Sequence, residues 1–198
     1  MVQYADMARP RSFNEADIRS KLLRSFWEGG FDGTSLPDLE AATELSRKSL
    51  YNTFGDKRDM FLSALRDFRR YALDANTKPL QESNASLAAI STVLKGLVTL
   101  SRSAEGQAGC MVCNTAREAI RHDPAVKTEI DAYFRQLEDR FLVAIRNGQT
   151  LGDIRIATPE PLARLCVGAV VSISVLSKAG QPAELLDAIV DETLTALQ

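Results

Sequence analysis

One short stretch of the sequence carries side chains suited to contacts with nucleic-acid bases and phosphates. Arg47, Lys48, Tyr51 and Asn52 lie at positions i, i+1, i+4 and i+5, so one face of a helix would present all four. Arginine and lysine can bond to guanine edges, an amide to adenine, and a phenol to phosphate oxygens. The pattern predicts a helix that enters the DNA major groove; a solvated basic helix end is the alternative.

The residues around this stretch predict where the helix begins and ends. Ser46 can accept a free backbone N–H as an N-cap, and Gly55 can adopt the conformation that ends a helix. Leu50 and Phe54 lie four residues apart and are predicted to face inward. The sequence therefore predicts a short helix over about 47–54 with one polar and one apolar face.

Two capping patterns flank this helix. Ser35 and Asp38 form a capping-box pattern for a preceding helix, and Asp56 and Asp59 form one for a following helix. An earlier helix should end at Gly29-Gly30 and carry an apolar stripe of Ile18, Leu22 and Phe26. The order predicts a helix-turn-helix unit followed by a fourth helix.

A second segment, residues 109–116, could carry thiol chemistry. Cys110 and Cys113 form a Cys-x-x-Cys pair whose separation in a helix permits a disulfide in principle. Cys110 should lie near a helix N-terminus, which stabilises a thiolate. The pair predicts redox or electrophile sensing; the alternative is that both are small buried apolar residues.

Other chemistry finds little support. A metal site would need His122, the only histidine, to meet Cys110, Cys113 and Cys166, and nothing in their spacing requires that. The sequence has no Ser nucleophile elbow, no glycine-rich phosphate loop and no close carboxylate pair. We expect no metal, no cofactor and no enzymatic activity.

These segments resemble the TetR family of one-component transcriptional regulators. The resemblance covers residues 12–70 and implies an all-α protein. It implies an N-terminal three-helix DNA-binding domain and a C-terminal helical domain that binds an effector and dimerises. The phrases that carry it are Gly30-Phe31, Thr34-Ser35-Leu36, Ser46-Arg47-Lys48-Ser49-Leu50-Tyr51 and Phe54-Gly55-Asp56-Lys57.

The resemblance also implies individual contacts with operator DNA. Phosphates are expected to meet the start of the second helix, the recognition-helix tyrosine and the helix 4 lysine. The chain departs from the family at Glu44, where a glycine is common in the turn between helices 2 and 3. The predicted DNA-binding residues are Thr34, Arg47, Lys48, Ser49, Tyr51, Asn52 and Lys57.

The segment with Gly109-Cys110 and Asn114-Thr115 resembles one large subgroup of the family, in parts of which this cysteine senses electrophiles or oxidants.

Apolar periodicity and breaks at Gly and Pro predict helices over 87–100, 110–122, 125–147, 161–178 and 182–197, with a linker over 148–158. The predicted domains are an N-terminal arm (1–12), a helix-turn-helix domain (13–58), connecting helix 4 (59–78) and a ligand-binding and dimerisation domain (79–198).

The last two predicted helices are apolar on most sides and must be buried on most sides. Pairing with a second copy as a four-helix bundle would cover them; ordinary intrachain core is the alternative. The predicted dimer residues are Leu165, Val170, Ile173, Leu186 and Ile189.

A mixed apolar and polar wall in the C-terminal domain predicts a pocket for a small organic effector. The predicted lining is Leu97, Cys110, Met111, Asn114, Phe134 and Leu137.

The charge and hydropathy of the chain limit the kinds of partner that it can bind. The net charge is −2, and the first 75 residues carry as many acidic as basic side chains, so DNA affinity must come from local placement. Arg9-Pro10-Arg11 is predicted either to reach a minor groove or to be a disordered tail. Met1 and Met7 are alternative starts, and we expect neither a secretory leader nor a membrane span, hence a cytoplasmic protein.

The sequence thus predicts a homodimeric repressor that binds a palindromic double-stranded operator and is released by a small-molecule effector. The alternative is a thiol-based sensor of the same fold that uses Cys110 and Cys113. Further alternatives are a ligand-binding protein without DNA function and a dithiol oxidoreductase.

Overall fold

The computed structural model describes residues 13–198, and all regular structure in this range is helical, which confirms the predicted all-α class. The predicted arm and its Arg9-Pro10-Arg11 segment lie outside the described residues. The α-helices are α1 (Glu15–Gly33), α2 (Leu36–Thr43), α3 (Arg47–Phe54), α4 (Lys57–Asn76), α5 (Leu87–Leu100), α6 (Ala104–Ala108), α7 (Met111–Thr115), α8 (Pro124–Leu151), α9 (Pro159–Lys178) and α10 (Ala183–Leu197). Short 3-10 helices span Lys78–Gln81 and Ala119–His122.

The predicted N-caps are present at the starts of α2, α3 and α4. Ser35 and Asp38 form a reciprocal capping box at the start of α2, and Asp56 and Asp59 form one at the start of α4. Ser46 Oγ accepts the Ser49 N–H at 3.3 Å at the start of α3. These local patterns were readable from sequence because each is complete within four residues.

The turn between α2 and α3 forms without a glycine. Glu44 adopts the left-handed conformation, with φ 60° and ψ 19°, and its N–H donates to Glu40 O at 2.9 Å. A left-handed conformation is strained for a residue with a Cβ. The departure from the family pattern at Glu44 therefore leaves the turn intact at a local conformational cost.

A cluster of aromatic and aliphatic side chains fixes the first three helices on α4. Phe26 and Phe61 are both buried, and their rings meet edge to face with centroids 5.2 Å apart. Leu39 and Leu50 contribute the inward faces of α2 and α3 to the same core. Burial of these faces turns the outward face of α3 to solvent.

Helix α4 belongs to both halves of the molecule because it packs on α1 and also along α8. Arg58 Nε and Nη2 donate to Asp123 at 2.5 and 2.9 Å. About two helical turns further along α4, Arg66 and Arg69 donate to the two carboxylate oxygens of Glu129 at 2.9 and 3.0 Å. The two helices are thus joined by charged hydrogen bonds as well as by apolar packing.

The structure corrects the predicted helix over 110–122. Helix α7 ends at Thr115, and a 3-10 helix begins only at Ala119. Glu118, between them, has an extended backbone, and its Oε2 accepts the Phe31 and Asp32 N–H groups at 2.7 and 3.1 Å. The break follows from this contact with α1, which is invisible to local periodicity.

Two other predicted boundaries also change. The gap between the helices predicted over 87–100 and 110–122 contains α6, whose C-cap Gly109 has φ 74°. Helix α8 continues to Leu151, past the predicted end at Asn147, because Gly148 lies inside it. Ile154 packs so close to Gly148 that an added Cβ would lie 2.5 Å from it, so the glycine serves close packing rather than termination.

Helix α9 is long and apolar enough to cross a membrane by length and composition alone, which the sequence reading did not anticipate. This is weak support for a span, since the core helix of a soluble protein passes the same test. Here α9 packs against α8 and α10.

Candidate nucleic-acid interface and effector cavity

The outward face of α3 has the arrangement that the sequence predicted. Arg47, Lys48, Tyr51 and Asn52 are all exposed, while Leu50 on the opposite side is fully buried. A short helix with cations, an amide and a phenol on its solvent side can meet phosphates and base edges. Contact of these residues with DNA stays a prediction.

A carboxylate that was not predicted from the sequence fixes α3 to α2. Glu40 Oε1 accepts the Arg47 N–H at 2.7 Å, and Glu40 Oε2 lies 3.8 Å from Arg47 Nε. The first contact satisfies a free N–H at the helix start. No local pattern could reveal it because the two residues meet only after the turn forms.

Three other predicted DNA-binding residues have partners within the chain. Thr34 is 3% exposed and its hydroxyl donates to Gly30 O at 2.7 Å, so the predicted phosphate contact does not fit this side chain. Ser49 Oγ lies 3.1 Å from Ser46 Oγ. Lys57 Nζ lies 4.4 Å above the centre of the Phe31 ring, which holds the ammonium at the start of α4.

A cavity of about 60 Å³ lies between α1, α4, α5, α6, α8 and α9. Of the predicted ligand residues, Leu97, Cys110 and Leu137 line it. Met111 is buried in the core without lining the cavity, Phe134 packs its ring on Tyr133, and Asn114 lines a separate polar cleft beside Gly30 and Glu118. The predicted pocket therefore keeps half of its predicted lining.

Four aromatic residues of the cavity wall were not predicted from the sequence. Trp27 and Phe68 line the cavity with ring centroids 4.9 Å apart, and Tyr71 and Tyr133 complete the set. Trp27 Nε1 donates to Gly109 O at 2.7 Å, which ties α1 to the residue before Cys110. The cavity forms only where α1, α4 and α6 come together, which local sequence patterns do not predict.

The two cysteines face one another rather than forming independent sites. Hydrogen bonds from the Cys113 and Tyr133 side chains and from backbone N–H groups lower the pKa of the buried Cys110 thiol, against the opposing effect of burial. Donation to Cys110 and burial raise the pKa of Cys113, while burial raises the pKa of the separate Cys166 to about 12. Cys110 is thus the more acidic thiol of the pair. Within residues 13–198 no group of three or more His, Cys, Asp or Glu side chains could hold a metal ion.

The structure changes the choice of dimer residues. Val170, Ile173 and Leu186 are buried by their own chain, so these side chains are not available to a second copy. Leu165 is 41% exposed and Ile189 is half-buried. Periodicity identified apolar helices but could not tell which apolar side faces the chain's own core.

Comparisons with known proteins agree on the class of molecule. The family described as "Bacterial regulatory proteins, tetR family" matches residues 18–64. The HTH-type transcriptional regulator YezE of Bacillus subtilis (strain 168) is 30% identical over 193 residues, which cover 96% of this chain and all of YezE. The HTH-type transcriptional repressor ComR of Escherichia coli (strain K12) is 28% identical over 54% of this chain and 51% of ComR.

A solved structure with the same arrangement contains DNA. The TetR family transcriptional regulator CifR, as a cysteine mutant complexed with 26 bp double-strand operator DNA, superposes with a TM-score of 0.85. It is 28% identical over 96% of this chain and 100% of the CifR chain. Such regulators are DNA-binding transcription factors and not enzymes, as the sequence predicted. With the YezE relationship extending over the full chain, the protein belongs to the TetR family of bacterial transcriptional regulators.

Proposed function

We propose that the protein is a homodimeric repressor that binds a palindromic operator and leaves it when a small organic effector fills the cavity. The observation that carries this proposal is the position of α4. Its Phe68 and Tyr71 line the cavity, and its first residue, Lys57, lies beside the helix-turn-helix unit. One rigid helix therefore joins the candidate effector site to the candidate DNA face.

The size of the cavity supports a conformational response. A volume of about 60 Å³ is far below the roughly 300–1,000 Å³ of a typical ligand pocket. A larger effector must push α4 or its neighbours outward before it fits. Two recognition helices must lie about 34–36 Å apart to enter successive major grooves. A displaced α4 alters that spacing, and the repressor is released by population shift.

A dimer through α9 and α10 explains an apolar surface that one chain leaves open. Leu165, Val175 and Leu185 are each more than 40% exposed on these helices. Gly168, in the middle of α9, has no atom within 4 Å of the position of an added Cβ. A glycine there allows a second helix to approach closely, and pairing four helices would bury the exposed side chains.

An electrophoretic mobility shift with the DNA upstream of the protein's own gene tests the proposal. We expect a complex at nanomolar protein, which Lys48→Ala weakens by about tenfold and Lys95→Ala leaves unchanged. Lys95 is a matched control because it is an exposed lysine on α5, away from α3. Equal binding by wild type and Lys48→Ala would remove α3 from the interface.

A second candidate function is thiol-based sensing in the same fold. Its support is the contact of Cys110 with Cys113 and Tyr133 at the cavity wall. Peroxide would oxidise the two thiols to a disulfide and be reduced to two waters, or an electrophile would alkylate Cys110. The effector function is favoured because Cys110 is 7% exposed, which slows attack by a reagent from solvent.

Cys110→Ser separates the two functions. Under the thiol function, peroxide or an electrophile releases wild-type protein from operator DNA and leaves Cys110→Ser bound. Equal responses of the two proteins would leave Cys110 a packing residue and favour a non-covalent effector.

A further inference from the structure

The cavity has an uneven charge. Among the described residues that line it, Glu105 is the only one that carries a formal charge, and no lysine, arginine or histidine is present. Glu105 is exposed at the mouth, where its carboxylate accepts a hydrogen bond from Tyr71 Oη at 3.3 Å. A negatively charged guest would therefore meet a carboxylate and no compensating cation.

Four hydrogen-bond donors of the wall are occupied by backbone carbonyls. Thr77 Oγ1, Ser101 Oγ and Ser177 Oγ donate to the backbone carbonyls of Leu73, Val98 and Gly106, at 2.6, 2.6 and 3.0 Å. The indole N–H of Trp27 is likewise bonded to Gly109 O. The wall still offers the Glu105 carboxylate and the Ser101 and Ser177 hydroxyl oxygens as acceptors, whereas Thr77 Oγ1 already accepts from Arg140 Nη1 at 2.6 Å. The Asn76 amide and the Ser174 hydroxyl remain as neutral donors that can serve the rest of a guest molecule. An ammonium group brings up to three donors and no acceptor, which complements the carboxylate and the two hydroxyl oxygens.

Four aromatic rings complete the surroundings of the mouth. Trp27, Phe68, Tyr71 and Tyr133 line the cavity, and aromatic faces attract cations through the ring quadrupole. The Tyr71–Glu105 bond also closes α4 over α6 at the cavity mouth. An ammonium that takes over the Glu105 carboxylate would loosen that bond and admit the apolar part of the same molecule between the rings of Trp27 and Phe68.

We infer that the effector is an amine with an apolar or aromatic body, selected over carboxylates of the same shape by Glu105 and the aromatic wall. The inference rests on the proposed function, since it concerns the same cavity. It predicts that aromatic and fatty carboxylates bind more weakly than amines of the same shape. The size of the preference is bounded by the exposure of Glu105, because a partly hydrated ion pair contributes modestly, and about fivefold is expected from this residue.

Phenethylamine, phenethyl alcohol and phenylacetate test this, since they share a ring and differ in charge. Trp27 is the sole tryptophan and lines the cavity, so its fluorescence reports occupancy in the full-length protein. We expect the amine to bind most tightly and the carboxylate most weakly. Glu105→Gln should weaken the amine about fivefold and leave the alcohol within about twofold. Glu184→Gln, at an exposed glutamate on α10, is the matched control and should leave all three unchanged.

The outcomes separate this inference from the function it rests on. Phenylacetate binding as tightly as phenethylamine, or an unchanged affinity of Glu105→Gln for phenethylamine, would overturn the amine preference while leaving an effector cavity in place. Failure of all three compounds to change Trp27 fluorescence would overturn the preference and the cavity assignment together. If wild-type protein does not bind operator DNA even in the absence of any compound, the proposed repressor function itself is wrong.

Discussion

At the scale of single residues, Glu40 holds the candidate recognition helix in position. Its carboxylate accepts the Arg47 N–H, so Glu40→Ala leaves that group without its partner. We expect the variant to lose about 1 kcal/mol of unfolding free energy and to bind operator DNA several-fold more weakly. Glu40→Gln keeps an acceptor oxygen at the same place and should retain stability. Thermal unfolding and mobility shifts check both, and identical behaviour of the two variants would mean that the hydrogen bond has no role.

Lys57 is the second residue whose contribution can be isolated. Its ammonium lies over the Phe31 ring at the start of α4, on the side that the family directs to phosphate. Lys57→Ala should weaken binding to all DNA sequences alike and reduce the slope of log affinity against log salt by about one. Titrations at several salt concentrations measure this, with Lys95→Ala as control. An unchanged slope would place Lys57 outside the interface.

The residue scale also shows what sequence can and cannot reveal. The caps Ser46 and Asp56 were predictable because helix ends are local patterns. The outward face of α3 was predictable from the helical spacing of its polar and apolar residues. The burial of Thr34 and the Glu40 contact were not, because each depends on where a neighbouring helix lies.

At the scale of elements, α4 and α8 are joined around one buried carboxylate. The Glu129 side chain is 10% exposed and binds Arg66 and Arg69, of which Arg66 is half in solvent. Glu129→Ala removes the carboxylate from both guanidinium groups, although Arg69 Nη1 still donates to Gln136 Oε1 at 3.0 Å. The full cost of breaking a buried pair is about 3–5 kcal/mol, but Arg66 can turn to water, so we expect about 2 kcal/mol.

Urea denaturation followed by circular dichroism measures this loss. Glu138→Ala is the control, because Glu138 pairs with Arg164 on a more exposed surface and should cost less than about 1 kcal/mol. A loss at Glu129 no larger than at Glu138 would show that the α4–α8 contact depends on apolar packing alone.

The elements that sequence misjudged lie at contacts between the two halves of the chain. The helix predicted over 110–122 breaks where Glu118 binds the N–H groups beyond the Gly30 kink. Gly30 has φ 70°, and an added Cβ would lie 2.8 Å from the Glu118 carboxylate. Helical periodicity indicates only which side of a helix is apolar. The break at Glu118 depends on its hydrogen bonds to backbone N–H groups of α1, which periodicity does not predict.

At the scale of the whole molecule, the cavity and the DNA face are linked by two routes. Helix α4 is one, and the other runs from Gly109 through Trp27 on α1 to Phe31, whose ring lies under Lys57. Both routes start at the cavity wall and end at the start of α4. A molecule that widens the cavity therefore acts on the two helices that support the helix-turn-helix unit.

Binding to a palindromic operator also requires a homodimer. Two glycines allow the proposed α9 dimer interface to be tested with a matched pair of variants. Gly168 on α9 and Gly96 on α5 both lie inside helices, with nothing within 4 Å of an added Cβ. Replacement by leucine should favour either helix by about 0.5–1 kcal/mol within one chain. If α9 forms the dimer, Gly168→Leu places a bulky side chain against the partner helix and yields monomers, whereas Gly96→Leu stays dimeric. Sedimentation velocity at micromolar concentration distinguishes them, and a Gly168→Leu dimer as tight as wild type would move the interface off this face of α9.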